Sequence, residues 1–386
     1  MKRLLHLLAV IGCLAFAFTS CEKPDSPSEE TTIYRIKNKS GQVYRKASTT
    51  ISLEYATIKS KKDKEDPAYT LYSIGTNSLQ ISFTSADESI FTVSKIGRVS
   101  GLKLGQAWLY TESAVTGQRD SILIKVVAAT ADENTFLTAD WGWTKLPTGG
   151  EYGTASMTLF GAVQNISIIR YKEADYKTSI TYYSGTDCKT VPNAATSVSA
   201  EVAINASFFN TTSLVASTTF TMGSTLVATS TDSEATNRST GTLYLKGGNI
   251  SFSEYNSAQI AYYKTFDFAI ASGPLLILNN TRQTFISRDF NNNRHPRTMI
   301  GVTKDREIVM VVVDGRFTGY ASGMTIPEMA DLAGYLDLVD ALNLDGGGSS
   351  TIWTSTAGVL NYPCDNSKWD HAGCRKCPTA VVAMAR

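Results

Sequence analysis

Ile308-Val-Met-Val-Val-Val313 is six consecutive apolar residues, most of them β-branched, and it runs directly into Asp314-Gly315-Arg316. A run of that length and composition predicts a strand buried on both faces, ended by a turn. The same grammar recurs nearby. Ala341-Leu-Asn-Leu344 enters Asp345-Gly346-Gly347-Gly348-Ser349-Ser350, Val202-Ala-Ile204 enters Asn205-Ala-Ser207, and Leu275-Leu-Ile-Leu278 reads as another buried strand. Helical signals are fewer. Thr325-Ile-Pro-Glu328 has the form of a capping box with proline in the first turn, and Ile326, Met329, Ala330, Ala333 and Leu336 follow at helical spacing. Residues 129–386 are therefore expected to form one α+β domain with more strand than helix.

Upstream, residues 33–128 carry short alternating strands, among them Leu79–Phe83, Ala107–Tyr110 and Ile122–Val126. Such spacing without a helical period predicts a small β-sandwich. Ser89 to Leu109, with Gly97 and Gly105 at hairpin turns, resembles the bacterial immunoglobulin-like group 2 domain. Such domains usually act as spacers, and no aromatic cluster stands out as a sugar platform. The chain opens Met1-Lys2-Arg3 and is largely apolar from Leu4 to Phe18. At about 15 residues that stretch is too short to span a bilayer, and it reads as an export signal over residues 1–20. Phe18-Thr19-Ser20-Cys21 resembles a bacterial lipoprotein box, with Cys21 as the lipid attachment site and residues 21–32 as a polar tether. The expected location is a bacterial membrane surface, periplasmic or external, held by acyl chains.

Composition narrows the function. Lys+Arg number 36 against 35 Asp+Glu, which excludes a strongly basic nucleic-acid binder. Apolar residues at 42% suffice for packed cores, so disorder is excluded too. Beyond Cys13 and Cys21, the cysteines are Cys188, Cys364, Cys374 and Cys377. In an oxidising compartment these four predict two disulfides, with three pairings open. Three histidines are too few for a multi-histidine metal cage once His6 leaves with the signal.

The candidate chemistry lies where strands end. Asp314 and Asp345 sit beside glycine at such ends, and each is either a turn-forming side chain or a reacting carboxylate. Three glycines from Gly346 to Gly348 let the backbone approach a ligand and aim amides at an anion. Arg297, Arg316 and Arg375 supply guanidinium groups, the side chain best suited to bidentate phosphate recognition. No Walker loop or nucleophile elbow is present.

Asn205-Ala-Ser-Phe-Phe209, Ser272-Gly-Pro-Leu275, Arg297-Thr-Met-Ile-Gly301, Val313-Asp-Gly-Arg316, Gly323-Met-Thr-Ile-Pro-Glu328 and Ala341 to Ser350 occur in that order. From about Ala200 to the end, the chain resembles the phosphodiester glycosidase family. Two positions depart from the family pattern: Ala206 stands for a glycine, and Cys374 for a glutamate before Arg375. The resemblance implies hydrolysis of a sugar-1-phosphodiester, such as one of N-acetylglucosamine, with a phosphorylated glycan as partner. Asp345 and Asp314 then become the catalytic carboxylates, as nucleophile or as base. Arg297, Arg316 and Arg375 with the amides of Gly346, Gly347 and Gly348 would hold phosphate, while Asn205, Asn343 and Ser349 position the sugar or support the carboxylates. No cofactor is required. A second reading gives the carboxylates Mg²⁺ or Ca²⁺ and makes a metal-dependent phosphodiesterase, and a third is a non-catalytic glycan-binding lipoprotein.

Overall fold

A computed structural model describes residues 30–386 apart from 39, 75–77, 231–232 and 234–237. The export signal and Cys21 lie outside the described residues. The chain divides into two compact units between Ala128 and Ala129.

The first unit is built from three small sheets. Its four-stranded sheet runs Gly41–Tyr44, Arg119–Val127, Gly105–Ser113, Ile81–Ser85, with the first pair parallel and the others antiparallel. Strict alternation along Gly105–Ser113 buries Ala107, Leu109, Thr111 and Ser113. Ala107 and Leu109 join Tyr34, Leu53, Phe91 and Ile124 in one core. The opposite face carries Trp108 and Tyr110, both about half exposed.

The second unit is organised by an eight-stranded antiparallel sheet. Its order is Thr144–Lys145, Glu151–Leu159, Ala162–Lys172, Glu307–Val313, Arg297–Thr303, Leu338–Asn343, Leu275–Leu278, Thr281–Arg282. The β-branched run is its centre, and both faces are covered. Ile308, Met310 and Val312 face one core with Ile204, Leu243 and Val381. Val309, Val311 and Val313 face another, closed by the helix Ile326–Tyr335. Each such aliphatic side chain contributes about 1.5–3 kcal/mol when withdrawn from water, which explains why a strand without polar alternation is stable here.

The helix begins as its sequence predicts. Thr325 Oγ1 accepts from the Glu328 amide at 3.2 Å, and the Glu328 carboxylate accepts from the Thr325 amide at 2.9 Å. Ile326, Met329, Ala330 and Ala333 are buried as expected, and Leu332 joins them while Leu336 caps the end half-buried. Among the described residues, two five-stranded sheets and the two-stranded ribbon Phe209–Asn210 with Val215–Ala216 complete the unit. One of them runs Tyr176–Tyr182, Thr379–Ala385, Val202–Asn205, Ile352–Thr354, Gly358–Val359. Register places the ends of several strands together. Val313 pairs with Arg297, and Met299 with Asn343, so the ends bearing Asp314 and Asp345 leave the same edge. Asn205 ends its own strand where the second sheet meets that edge, pairing with Ala380.

Candidate active site

The glycine loop is assembled by buried amides rather than by free chain. Past Leu344, the Asp345 amide donates to Ala206 O at 2.9 Å, and Asn205 Nδ2 donates to Asp345 O at 2.7 Å. Asn205 Oδ1 accepts in turn from Thr298 Oγ1 at 2.9 Å and from the Thr351 amide at 3.1 Å. Asn205 is fully buried; it ties the two sheets to the loop, and its amide is spent on the backbone.

The loop then tightens into a single 3-10 turn, Gly347–Ser349. Gly346 N donates to Asp345 Oδ1 at 2.9 Å and Gly347 N donates to Pro296 O at 2.9 Å. The expectation that these two amides point at an outside anion is corrected: winding the turn commits them to the protein. What the glycines provide is space. A Cβ on Gly346 would lie 2.6 Å from Pro296 O, and one on Gly347, where φ is +63°, would lie 3.1 Å from Arg316 Nη2. A Cβ on Gly348 would collide with the Arg375 guanidinium. Two cations therefore lean on consecutive loop residues because neither residue has a side chain.

Arg316 leaves its strand in the left-handed region, with φ +68°, and is exposed. Its Nη1 lies 3.9 Å from Cys364 Sγ. Arg375 is held by Asp365, whose Oδ1 accepts from Nε at 2.8 Å and also from Nη2. Asp345 is half-buried on this loop. Burial pushes its pKa up to about 6, against the opposing pull of the Ser349 hydroxyl, the Gly346 amide and the charges of Arg238 and Arg375. Ser349 is buried, with its hydroxyl close to the Asp345 carboxyl.

Asp314, Arg297 and Asn343 take other places than the sequence suggested. Asp314 is 1% exposed. Its carboxylate accepts from Asn165 Nδ2 at 2.8 Å, Asn361 Nδ2 at 2.9 Å and the Tyr362 amide at 3.0 Å. Burial raises its pKa, and these donors only moderate that rise. This carboxylate holds the 361–362 chain in place. Arg297, also 1% exposed, donates from Nε to Met324 O at 2.9 Å and from Nη2 to Phe290 O at 2.6 Å and Asn293 O at 3.0 Å. Burial pulls its pKa down to about 10. It serves as an internal strut for three carbonyls. Asn343 Nδ2 donates to Gly273 O at 2.7 Å and Leu344 O at 2.8 Å, again inside the protein.

Sequence reasoning missed two residues. Arg238 lies over the rings of Phe208 and Phe290, at 4.8 and 5.5 Å, and its charge is felt at Asp345. It comes from a polar stretch without pattern, so only tertiary contact reveals it. Asp365, which fixes Arg375, sits in a loop of similarly plain composition.

The four cysteines are free thiols, correcting the two expected disulfides. Cys188 and Cys377 are buried, with Sγ contacts to Leu214 O at 3.3 Å and Arg375 O at 3.5 Å. Burial pushes the Cys374 thiol up to about 11, so at neutral pH it stays protonated and unreactive. Among the described residues no group of three or more His, Cys, Asp or Glu side chains is placed to hold a metal ion. Nor is any helix among them long and apolar enough to cross a membrane.

Thus one carboxylate, a glycine turn and arginines from three separate segments converge outside the ends of two sheets. Residues 199–384 match the phosphodiester glycosidase family. Within curated relatives, 109 residues are 28% identical to the N-acetylglucosamine-1-phosphodiester alpha-N-acetylglucosaminidase of Mus musculus, covering 28% of this chain. A 107-residue segment is 31% identical to the Bos taurus enzyme of the same name, covering 27% of this chain. In each case the matched segment spans 19% of the relative's length. Among solved structures, the catalytic domain of the zebrafish enzyme of that name aligns with a TM-score of 0.48 at 19% identity, over 64% of this chain and 87% of that one.

Proposed function

We propose that the second unit hydrolyses the bond between a sugar and phosphate in a sugar-1-phosphodiester, of which the N-acetylglucosamine diesters are the first class to try. The observation that carries this reading is the placement of the Arg316 and Arg375 guanidinium groups on Gly347 and Gly348, next along the loop from Asp345, whose carboxyl feels the charge of Arg375. The family match over residues 199–384 supports it.

The chemistry follows from the leaving group. A phosphate monoester is already a weak base, so its departure needs charge stabilisation more than protonation. Arg316 and Arg375 supply that charge, with Asp365 keeping the Arg375 fork oriented. Attack at the anomeric carbon needs a carboxylate. Asp345 fills this role, and a pKa of about 6 suits a base for water near neutral pH. Asp314, enclosed by amide donors, supports the loop and takes no part in the bond change.

For the rest of the chain, the export signal and Cys21 support a lipid-anchored protein of the bacterial envelope. The first unit would act as an immunoglobulin-like spacer carrying the enzyme away from the membrane toward a phosphorylated glycan. Incorporation of labelled palmitate that persists in Cys21→Ser would remove the anchor from this account.

The reaction is tested with the methyl phosphodiester of N-acetylglucosamine in ¹⁸O water. The expected outcome is label in the sugar, with turnover lost in Asp345→Ala. Label in phosphate would instead show attack at phosphorus.

A further inference from the structure

The first unit carries a surface that the proposed reaction does not use. Along Gly105–Ser113 alternate residues point away from the core, and strand register fixes what surrounds each of them. Trp108 lies opposite Leu123, Tyr110 lies between Thr84 and Ser121, and Glu112 lies between Ser82 and Arg119. Trp108 is 45% exposed, Tyr110 48% and Leu123 36%. A groove of about 640 Å³ runs over Tyr110, bounded by Ser82, Thr84, Glu112, Arg119 and Ser121. In the sequence, two aromatics at alternate positions are ordinary strand composition, so no sugar platform stands out there. The two neighbouring strands supply the hydroxyls that complete one.

Strand stability does not explain the Tyr110 ring. Trp108 gains an apolar cross-strand pair with Leu123, which accounts for its place. Tyr110 has hydroxyl residues on both sides, so its ring gains no such pair and stays in water. A lone exposed aromatic would need no account, but Trp108 and Tyr110 stand roughly 7 Å apart along one strand and form a strip with Leu123. The charges beside that strip are already answered. Arg119 Nη2 lies 3.0 Å from Glu112 Oε1, and the Asp120 carboxylate accepts from the amides of Ile36 at 2.6 Å and Ser121 at 2.7 Å. The groove therefore offers hydroxyls and paired charges, not a free ion, which complements an uncharged polyol and not an ionic partner.

We propose that this face of the first unit binds a neutral polysaccharide, with one hexose ring laid on Tyr110. A hexose presents an apolar C–H face, which covers an aromatic ring, and a rim of hydroxyls that needs polar partners. Thr84 and Ser121 meet that rim on either side of Tyr110. Neighbouring sugars reach Trp108 in one direction along the strand and the Glu112–Arg119 pair in the other. Glu112 accepts and Arg119 donates, so adjacent hydroxyls of one sugar can engage both without parting them. The unit is then more than a spacer: it holds the protein on glycan, independently of the chemistry at Asp345.

Calorimetry on the full chain in detergent, with cellohexaose, maltohexaose and polygalacturonate as probes, tests this surface. At least one of the two neutral hexasaccharides is expected to bind, and more tightly than the anionic polymer. Tyr110→Ala should weaken that sugar about five- to tenfold, while Tyr110→Phe, which keeps the ring, should stay within about twofold of the wild type. Ser121→Lys leans a long side chain against the same ring and should also weaken binding, which decides the question if Tyr110→Ala melts early. All three positions point outward, so an unchanged melting temperature is expected. Binding of neither hexasaccharide, tighter binding of polygalacturonate, or full binding retained in both Tyr110→Ala and Ser121→Lys would each overturn the proposal. The last result would put the sugar elsewhere on the protein.

Discussion

Replacing Asp345 by asparagine should make the protein more stable at neutral and alkaline pH while removing its activity. In the folded chain this carboxyl is displaced from an ordinary 3.8 to about 6 by burial. The folded state therefore holds the proton more tightly than the unfolded state does. Stability from this group is complete below about pH 4 and is lost as pH climbs through about 6. At about 1.4 kcal/mol per pH unit, the loss at pH 8 is on the order of 2–3 kcal/mol. Asparagine cannot ionise, and its oxygen can still accept the Gly346 amide that now bonds to Asp345 Oδ1. The variant should match the wild type near pH 4 and exceed it by about 2–3 kcal/mol at pH 8, or about 4–10 °C in melting temperature for a unit of this size. Thermal melts followed by circular dichroism from pH 4 to 8 measure the difference directly. A variant that melts at or below the wild type at pH 8, or a gap that does not grow with pH, would refute the account of Asp345 as a carboxylate kept in an unfavourable setting for its chemistry.

Gly348→Ala places a methyl where the Arg375 guanidinium lies, so kcat/KM should fall about 10- to 100-fold with little change in melting temperature; equal loss of both would instead indicate a folding defect. Arg297→Lys cannot reach the carbonyls of Met324, Phe290 and Asn293 together, and should cost about 2–4 kcal/mol in denaturant unfolding while folded protein keeps its turnover. Thr325→Ala removes the side-chain cap on the helix Ile326–Tyr335 and should cost about 1 kcal/mol, measured the same way, without changing activity.

The legible parts of the site were those carried by local pattern. Asp345 beside three glycines, and Arg316 two residues after Asp314, could be found because a strand run, a turn and a functional group follow one another in the chain. Arg238 and Asp365 had no such signal. Arg238 comes near Asp345 only because the segment bearing Phe208 and the one bearing Phe290 both pack beneath it. Arg297 and Asp314 show the opposite case, since a charged residue at a strand end looks the same in sequence whether it meets substrate or a buried carbonyl. Only the hydrogen-bond partners distinguish the two, and those come from distant segments.

What the sequence determined by itself was the strand-rich second unit, its central doubly buried strand and its capped helix. These rest on hydrophobic period and on hydrogen bonds within four residues, so short windows of sequence contain them. The tertiary structure decided which charges face one another, that Gly347 and Gly348 make room for two guanidinium groups while the Gly346 and Gly347 amides bond within the protein, and that the four described cysteines lie unpaired. Those outcomes depend on register between strands more than a hundred residues apart, as between Val202–Asn205 and Ile352–Thr354, and on burial, which raises or lowers the energy of a charge according to neighbours that sequence order does not reveal.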